Sequence, residues 1–480
     1  MADVLVSQSR LSSTRVSLPA FPAEILRSIF ELLSPADFRS LCLVCKAIRP
    51  HAEPLFYSQI DFLWLDKVPP ITSLLRTLLA RPQLAAHVRG VSLGYPPVQV
   101  SIRNYPFVKV PVTEKDVGLP IAFVESLKLP DDGFWVQELR AGTMDAYVAV
   151  LLSQLHNLRR LDMCGHFTNE MILVGTVFWC ALCEGVDRGL PAFEYLEEVS
   201  VTKRWTYYGS SSIRNTQDLL PLFHLPALKH MKLWLDDPES LDPKTIGWPT
   251  GQVPKACMLR LLELVNIREP QLRHVLEATT CLQSLRWVWN HDEDFEYYID
   301  LKPIIDLDEI GRAVAPVKDT LTRLEIVVWA SLGGDALDEP YLDVTGSLRS
   351  LRQFTKLKSV EVPLVFLVAS LSPHLAKPFA ESLPRNLEYL TVSTELLEQE
   401  ELEWTGRPIL DALRPWLEFW RDYTPNMRIF HLKVDLCHWA WTTSARDVLV
   451  ELGVTAGLQI QVTESEALKS SRARFTEIDT

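Results

Sequence analysis

Beyond residue 84 one short arrangement of apolar and polar positions keeps returning: apolar-x-x-apolar-x-apolar. It reads LRRLDM at Leu158–Met163, LEEVSV at Leu196–Val201, LKHMKL at Leu228–Leu233 and LRLLEL at Leu259–Leu264. It continues as LQSLRW at Leu282–Trp287, LTRLEI at Leu321–Ile326, LKSVEV at Leu357–Val362, LEYLTV at Leu387–Val392 and MRIFHL at Met427–Leu432. VRGVSL at Val88–Leu93 is an earlier member, and Val124–Leu129 a weaker one. The last two apolar positions are two apart, so a strand turns both to one side and the residue between them to the other. Each copy therefore predicts one short strand. Successive clear copies start 23 to 40 residues apart, and helical apolar spacing fills many of the gaps: Asp145–Leu155, Glu170–Leu182, Gln217–Phe223, Glu269–Leu276, Val344–Phe354 and Ile409–Tyr423. The proline-bearing segments Tyr95–Pro120 and Asp236–Pro254 read as surface loops.

A different pattern occupies the beginning of the chain. After Pro22, residues Ile25, Leu26, Ile29, Phe30 and Leu33 follow at helical spacing, with proline at the first helical position. Ser34-Pro35-Ala36-Asp37 supplies a second start: Ser34 as N-cap, Pro35 at N1 and Asp37 reaching back. Phe38, Leu41, Cys42 and Cys45 form the stripe of that helix, and a third runs from about Arg49 through Ala52, Leu55 and Phe56. Three helices in about forty residues lie near the lower limit for burying a core unaided, which leaves apolar surface for a partner.

These residues resemble the F-box motif. Its opening is carried by Phe21-Pro22-Ala23-Glu24-Ile25, its first helix by Ile29-Phe30-Glu31-Leu32-Leu33, and its second by Asp37 and Leu41-Cys42-Leu43-Val44-Cys45-Lys46-Ala47-Ile48-Arg49. Ala52 through Tyr57 and Ile60 continue the match; Phe21 replaces the usual leucine. The resemblance covers about a tenth of the chain and implies docking onto the Skp-type adaptor of a cullin-RING ubiquitin ligase. The residues it nominates for that contact are Pro22, Glu24, Ile25, Ile29, Phe30, Leu33, Leu41 and Val44. The recurring strands, for their part, resemble the leucine-rich repeat, one strand per turn of a solenoid. The closing asparagine is mostly missing and several turns are long, so the array is divergent. The expected fold class is α/β: an N-terminal three-helix F-box followed by an irregular leucine-rich-repeat solenoid. The expected limits are a leader over 1–17, the F-box over 18–62, the array over 63–462 and a tail over 463–480. A two-domain α/β protein with similarly spaced strands is the alternative.

Composition narrows the function. The 480 residues are 47% hydrophobic and 23% charged, within the globular range, with a net charge of −13. That balance argues against a nucleic-acid partner, which needs a basic footprint. No apolar run is long enough to span a bilayer, so no membrane partner is expected. Eight cysteines and no Asn-x-Ser/Thr sequon favour a reducing compartment, cytoplasmic or nuclear. Cys42-x-x-Cys45 and Cys180-x-x-Cys183 lie too far apart in sequence for a zinc ribbon, so buried or idle thiols are expected, with neither metal nor cofactor. No phosphate loop, nucleophile elbow, zincin or dinucleotide motif is present, and the chain is not expected to be an enzyme.

An unidentified protein target would meet the residues that alternate away from the core. Candidates are Arg160, Arg204, Lys232, Trp234, Arg286, Arg323, Trp329, Tyr389 and His431. Trp234 and Trp329 are the preferred anchors, because tryptophan and arginine are enriched in binding hot spots; either could instead pack beneath a loop. The acidic stretches His291–Glu296 and Glu395–Glu403 could steer a basic segment or be solvated loop charge. The combined expectation is the substrate-recognition subunit of a cullin-RING ligase; the alternatives are an adaptor-binding scaffold without ubiquitination and an unrelated enzyme with a helical extension.

Overall fold

The computed structural model describes residues 18, 21–64, 68–94, 109–164, 167–168, 170–202, 215–235, 247–256, 258–292, 304–331, 343–397, 404–435 and 441–465. Three helices open the chain: α1 (Ala23–Phe30), α2 (Pro35–Val44) and α3 (Arg49–Phe56). Pro22 immediately precedes α1, one residue outside the expected position. Pro35 begins α2, and the Asp37 carboxylate accepts from the Ser34 N–H at 3.1 Å and from its hydroxyl at 2.6 Å. Leu26, Phe30, Ile48 and Ala52 form a small core, flanked by Leu18, Ile29, Phe38, Leu41, Cys42, Cys45 and Leu55.

The strands follow the apolar pattern closely. They are β1 (Gln59–Leu63), β2 (Gly90–Gly94), β3 (Arg160–Met163), β4 (Glu198–Val201), β5 (His230–Trp234), β6 (Leu261–Val265) and β7 (Ser284–Asp292). Then come β8 (Ile304–Asp306), β9 (Arg323–Ser331), β10 (Asp343–Thr345), β11 (Ser359–Pro363), β12 (Tyr389–Ser393), β13 (Ile429–Asp435) and β14 (Gln459–Ser465). Twelve of them make one parallel sheet in which every strand neighbours the next in chain order; β8 and β10 form a separate parallel pair. A parallel sheet in sequence order is compatible with the expected repeat array.

The register shows why the spacing recurs. Ile60, Val91, Leu161, Val199, Met231, Leu262, Leu285, Leu324, Val360, Leu390, Phe430 and Ile460 stand side by side across the sheet. From Val91 to Phe430 none of them exceeds 2% exposure. Helices Ile71–Ala80, Met144–Leu152, Ile172–Leu182, Glu269–Glu277, Leu307–Val314 and Gly406–Glu418 contribute buried residues to the same core, so one face of the sheet is covered. The helices are tied to one another by polar contacts as well. The Asp145 carboxylate accepts from the Leu173 and Val174 N–H groups at 2.7 and 3.1 Å, at the start of the helix Ile172–Leu182. Burial pushes that carboxyl up to about 6 despite both bonds.

Several expectations need correction. Val124–Leu129 is not a strand: Val124 and Leu127 face the core from the helix Glu114–Leu127, which satisfies the same spacing at 3.6 residues per turn. That helix also displaces the end of the loop expected over Tyr95–Pro120. Val344–Phe354 is not an α-helix but β10 and a 3-10 turn, Arg349–Gln353, interrupted by Gly346 at φ 76°. The sheet begins at Gln59, inside the segment assigned to the F-box, and ends at Ser465.

Candidate functional site

The helical module leaves a large part of its apolar surface in water. Exposed side chains are Phe21 (39%), Ile25 (46%), Leu32 (87%), Leu33 (36%), Leu43 (78%) and Val44 (66%). Ile25, Ile29, Leu32 and Leu33 share one side of α1 and the turn after it, whereas Leu26 and Phe30 turn to the core. Pro22 and Glu24 are also exposed; Ile29 and Leu41 are half-buried against the module's own core. Phe30 is fully buried, so it shapes the module from within and offers no contact surface. Leu32, Leu43, Phe21 and Phe56 are accessible apolar residues that the set read from sequence did not include. The seven-residue step from Ile25 to Leu32 was the signal available for the first of them.

The module is continuous with the sheet. Tyr57-x-x-Ile60-x-Phe62 carries the recurring spacing, and the Ser58 carbonyl accepts from the N–H groups of Arg89 and Gly90 at 2.8 and 3.0 Å. Glu53 on α3 meets Arg49 on its own helix and Arg81 beyond the helix Ile71–Ala80.

The other candidate surface is the face of the sheet opposite the helices. There Asp61, Ser92, Asp162, Ser200, Lys232, Glu263, Arg286, Glu325, Glu361, Thr391, His431 and Gln461 form one row in register. Its middle is a ladder of alternating charge. Lys232 lies 2.8 Å from Glu263, Arg286 lies 2.6 Å from both Glu263 and Glu325, and Arg323 lies 3.1 Å from Glu325. Burial works against the Arg286 charge, but the two carboxylates outweigh it and raise the pKa. Lys433 and Glu361 pair across β12. Lys232, Arg286 and Arg323 are thus engaged within the face itself.

One row further along, Trp234 packs against Val265, Val288 and Val327, the last three buried. Half-buried Trp234 is therefore part of a small satellite core. Arg160 remains open, its side chain 68% exposed and 3.8 Å from Glu198. Tyr389 is 40% exposed beside half-buried Ile429. The His431 ring, its pKa lowered chiefly by burial, meets the Thr463 hydroxyl at 2.7 Å. Arg204 and the Trp329 indole lie outside the described residues, as do the side chains of the acidic stretch 291–296. Of the second acidic stretch, Glu395 turns inward and accepts from the Val328 N–H at 3.2 Å, and burial pushes its carboxyl up to about 7. The rest, beyond residue 397, also lies outside the described residues.

Among the described residues no group of three or more His, Cys, Asp or Glu is arranged to hold a metal ion, and no helix is long and apolar enough to cross a membrane. Burial raises the Cys180 and Cys183 thiols to about 12 and about 11, so neither is an activated thiolate.

No curated protein matches the chain. Residues 18–63 match the family model described as F-box-like, and that match together with the uncovered helical surface supports, in general terms, adaptor docking and a substrate-receptor role.

Proposed function

We propose that this chain is the substrate-recognition subunit of an SCF-type cullin-RING ubiquitin ligase. The Skp-type adaptor docks on α1 and the end of α2, and a protein target is held on the open face of a divergent leucine-rich-repeat array. The observation that carries the reading is the exposed apolar surface of Ile25, Leu32, Leu33, Leu43 and Val44, attached to a long parallel sheet with one face free of helices among the described residues. On this reading the chain does no chemistry. It raises the effective concentration of a target beside the ubiquitin-conjugating enzyme, in the cytoplasm or nucleus, and so commits the target to degradation. Target contact centres on the positions whose side chains are not committed to the ion ladder: Arg160 towards one end, Tyr389 and His431 towards the other.

Affinity purification of the full chain, compared with an Ile25→Asp/Leu33→Asp variant, tests this. The adaptor and cullin should be recovered with wild type and lost with the variant, and the captured target should accumulate in cells lacking the chain. A target whose abundance and ubiquitination do not respond would favour the second reading, an adaptor-binding scaffold without a ligase role.

A further inference from the structure

The corner between α3 and β1 is a natural place for the docking helices to pivot, because the chain leaves the module through a single connection there. Three features remove that freedom. Tyr57 packs against the main core, and the Ser58 carbonyl is held by Arg89 and Gly90. The third feature is a fork one helical turn back from the corner. Arg81 Nη1 donates to Glu53 Oε1 at 3.1 Å and Nη2 to Oε2 at 2.9 Å, the two-pronged geometry that fixes orientation as well as distance. The Glu53 side chain is 17% exposed, and that of Arg81 is more open, at 36%.

Arg81 is a firm anchor on the sheet side. Its N–H bonds the carbonyls of Thr77 and Leu78 at 3.0 and 3.2 Å, and Pro82 follows it. The helix before it buries Ile71, Leu75 and Leu78 in the main core. On the module side Glu53 lies on α3, which carries Ala52 of the module's core. A body attached at one point can rotate; attached at the corner and again at Glu53, it cannot.

We propose that Arg81 is a positioning residue: it holds the adaptor-docking helices at one fixed angle to the open face of the sheet, so that a bound target is presented to the assembled ligase in a set orientation. The role in presentation rests on the function proposed above; the fixed angle does not. The pair is asymmetric in a useful way. Glu53 also accepts from Arg49 Nη2 at 3.1 Å on the same helix. Removing the Arg81 side chain therefore leaves Glu53 with a cation and spares the module's own fold, while the only charge contact described between Glu53 and the sheet-bearing part disappears.

The test uses the full-length chain with spin labels, introduced through non-natural amino acids, at exposed Arg39 on α2 and exposed Glu198 on β4. Double electron–electron resonance should give one narrow distance distribution in wild type, at least twice as wide in Arg81→Ala, and of intermediate width in Arg81→Lys, which keeps the charge but not the fork. In parallel, Arg81→Ala should capture purified Skp-type adaptor as wild type does. Equal widths in wild type and Arg81→Ala would overturn the proposal, as would loss of adaptor capture by Arg81→Ala alone, which would make Arg81 part of the module's fold. The distance measurement needs no partner. Failure of wild type to bind the adaptor would therefore strike the docking reading and leave the width comparison to decide the fixed angle.

Discussion

Replacing Ile25 and Leu33 together by aspartate should abolish adaptor binding and barely change the stability of the free chain. Ile25 is 46% and Leu33 36% exposed, and those fractions remain for a partner to cover. Full burial of such a side chain is worth about 1.5–3 kcal/mol, so the exposed shares come to about 1 kcal/mol each. Two carboxylates placed in an apolar contact without partners add a desolvation cost of several kcal/mol. With each 1.4 kcal/mol worth a factor of about ten, affinity should fall more than about a hundredfold. Calorimetric titration with purified Skp-type adaptor reads the affinity, and thermal unfolding reads the fold. The melting temperature should move by less than about 2 °C, since neither side chain belongs to the module's core or is among those packed against it. Ile29 is left in place because it packs against the module's core and its loss would confuse the two readouts. An unchanged dissociation constant would refute the docking surface. A fall in melting temperature beyond about 5 °C would show that these side chains hold the module together.

Three further predictions concern the array. Leu285→Ala, at a fully buried position in the middle of the core row, should cost about 2–5 kcal/mol in urea unfolding, and a cost under 1 kcal/mol would deny that neighbouring turns share one core. Arg286→Ala should cost only about 1 kcal/mol, because Glu263 keeps Lys232 and Glu325 keeps Arg323, and that cost should shrink in high salt; a larger, salt-independent loss would place the contribution of Arg286 in packing. Asp145, Asp218 and Glu395 are raised to about 6, 7 and 7, chiefly by burial, so the folded chain holds protons that the unfolded chain has released. Their stabilising contribution is whole below about pH 4, where unfolded carboxylates titrate, and is lost as pH rises through 6 to 7. Asp218→Asn should therefore raise the melting temperature at pH 8 more than at pH 5; an equal shift at both would contradict the sign.

The recurring hexamer was readable because a strand with one buried face has a strict period of two, and ten copies landed on strands in the same register. β1 was legible too, in Tyr57-x-x-Ile60-x-Phe62, but the F-box resemblance had already claimed those residues. β14 was not legible. Gly457, at φ 65°, and Leu458 break the three-residue step before Ile460. The Val124–Leu129 error has the opposite cause, since a step of three suits a helix as well as the entry to a strand.

The chain's own order of residues determined the buried positions of ten of the twelve stacked strands and where the docking helices lie, because period and capping are local properties. Which polar residues remain available was decided only in three dimensions. Lys232, Glu263, Arg286 and Glu325 meet one another across 23 to 39 residues of sequence, and only the parallel register brings those charges within reach. The same holds for Glu53 and Arg81, separated by 28 residues. Side-chain pairing across a sheet depends on distance in space, and a single sequence read along its length does not contain that distance.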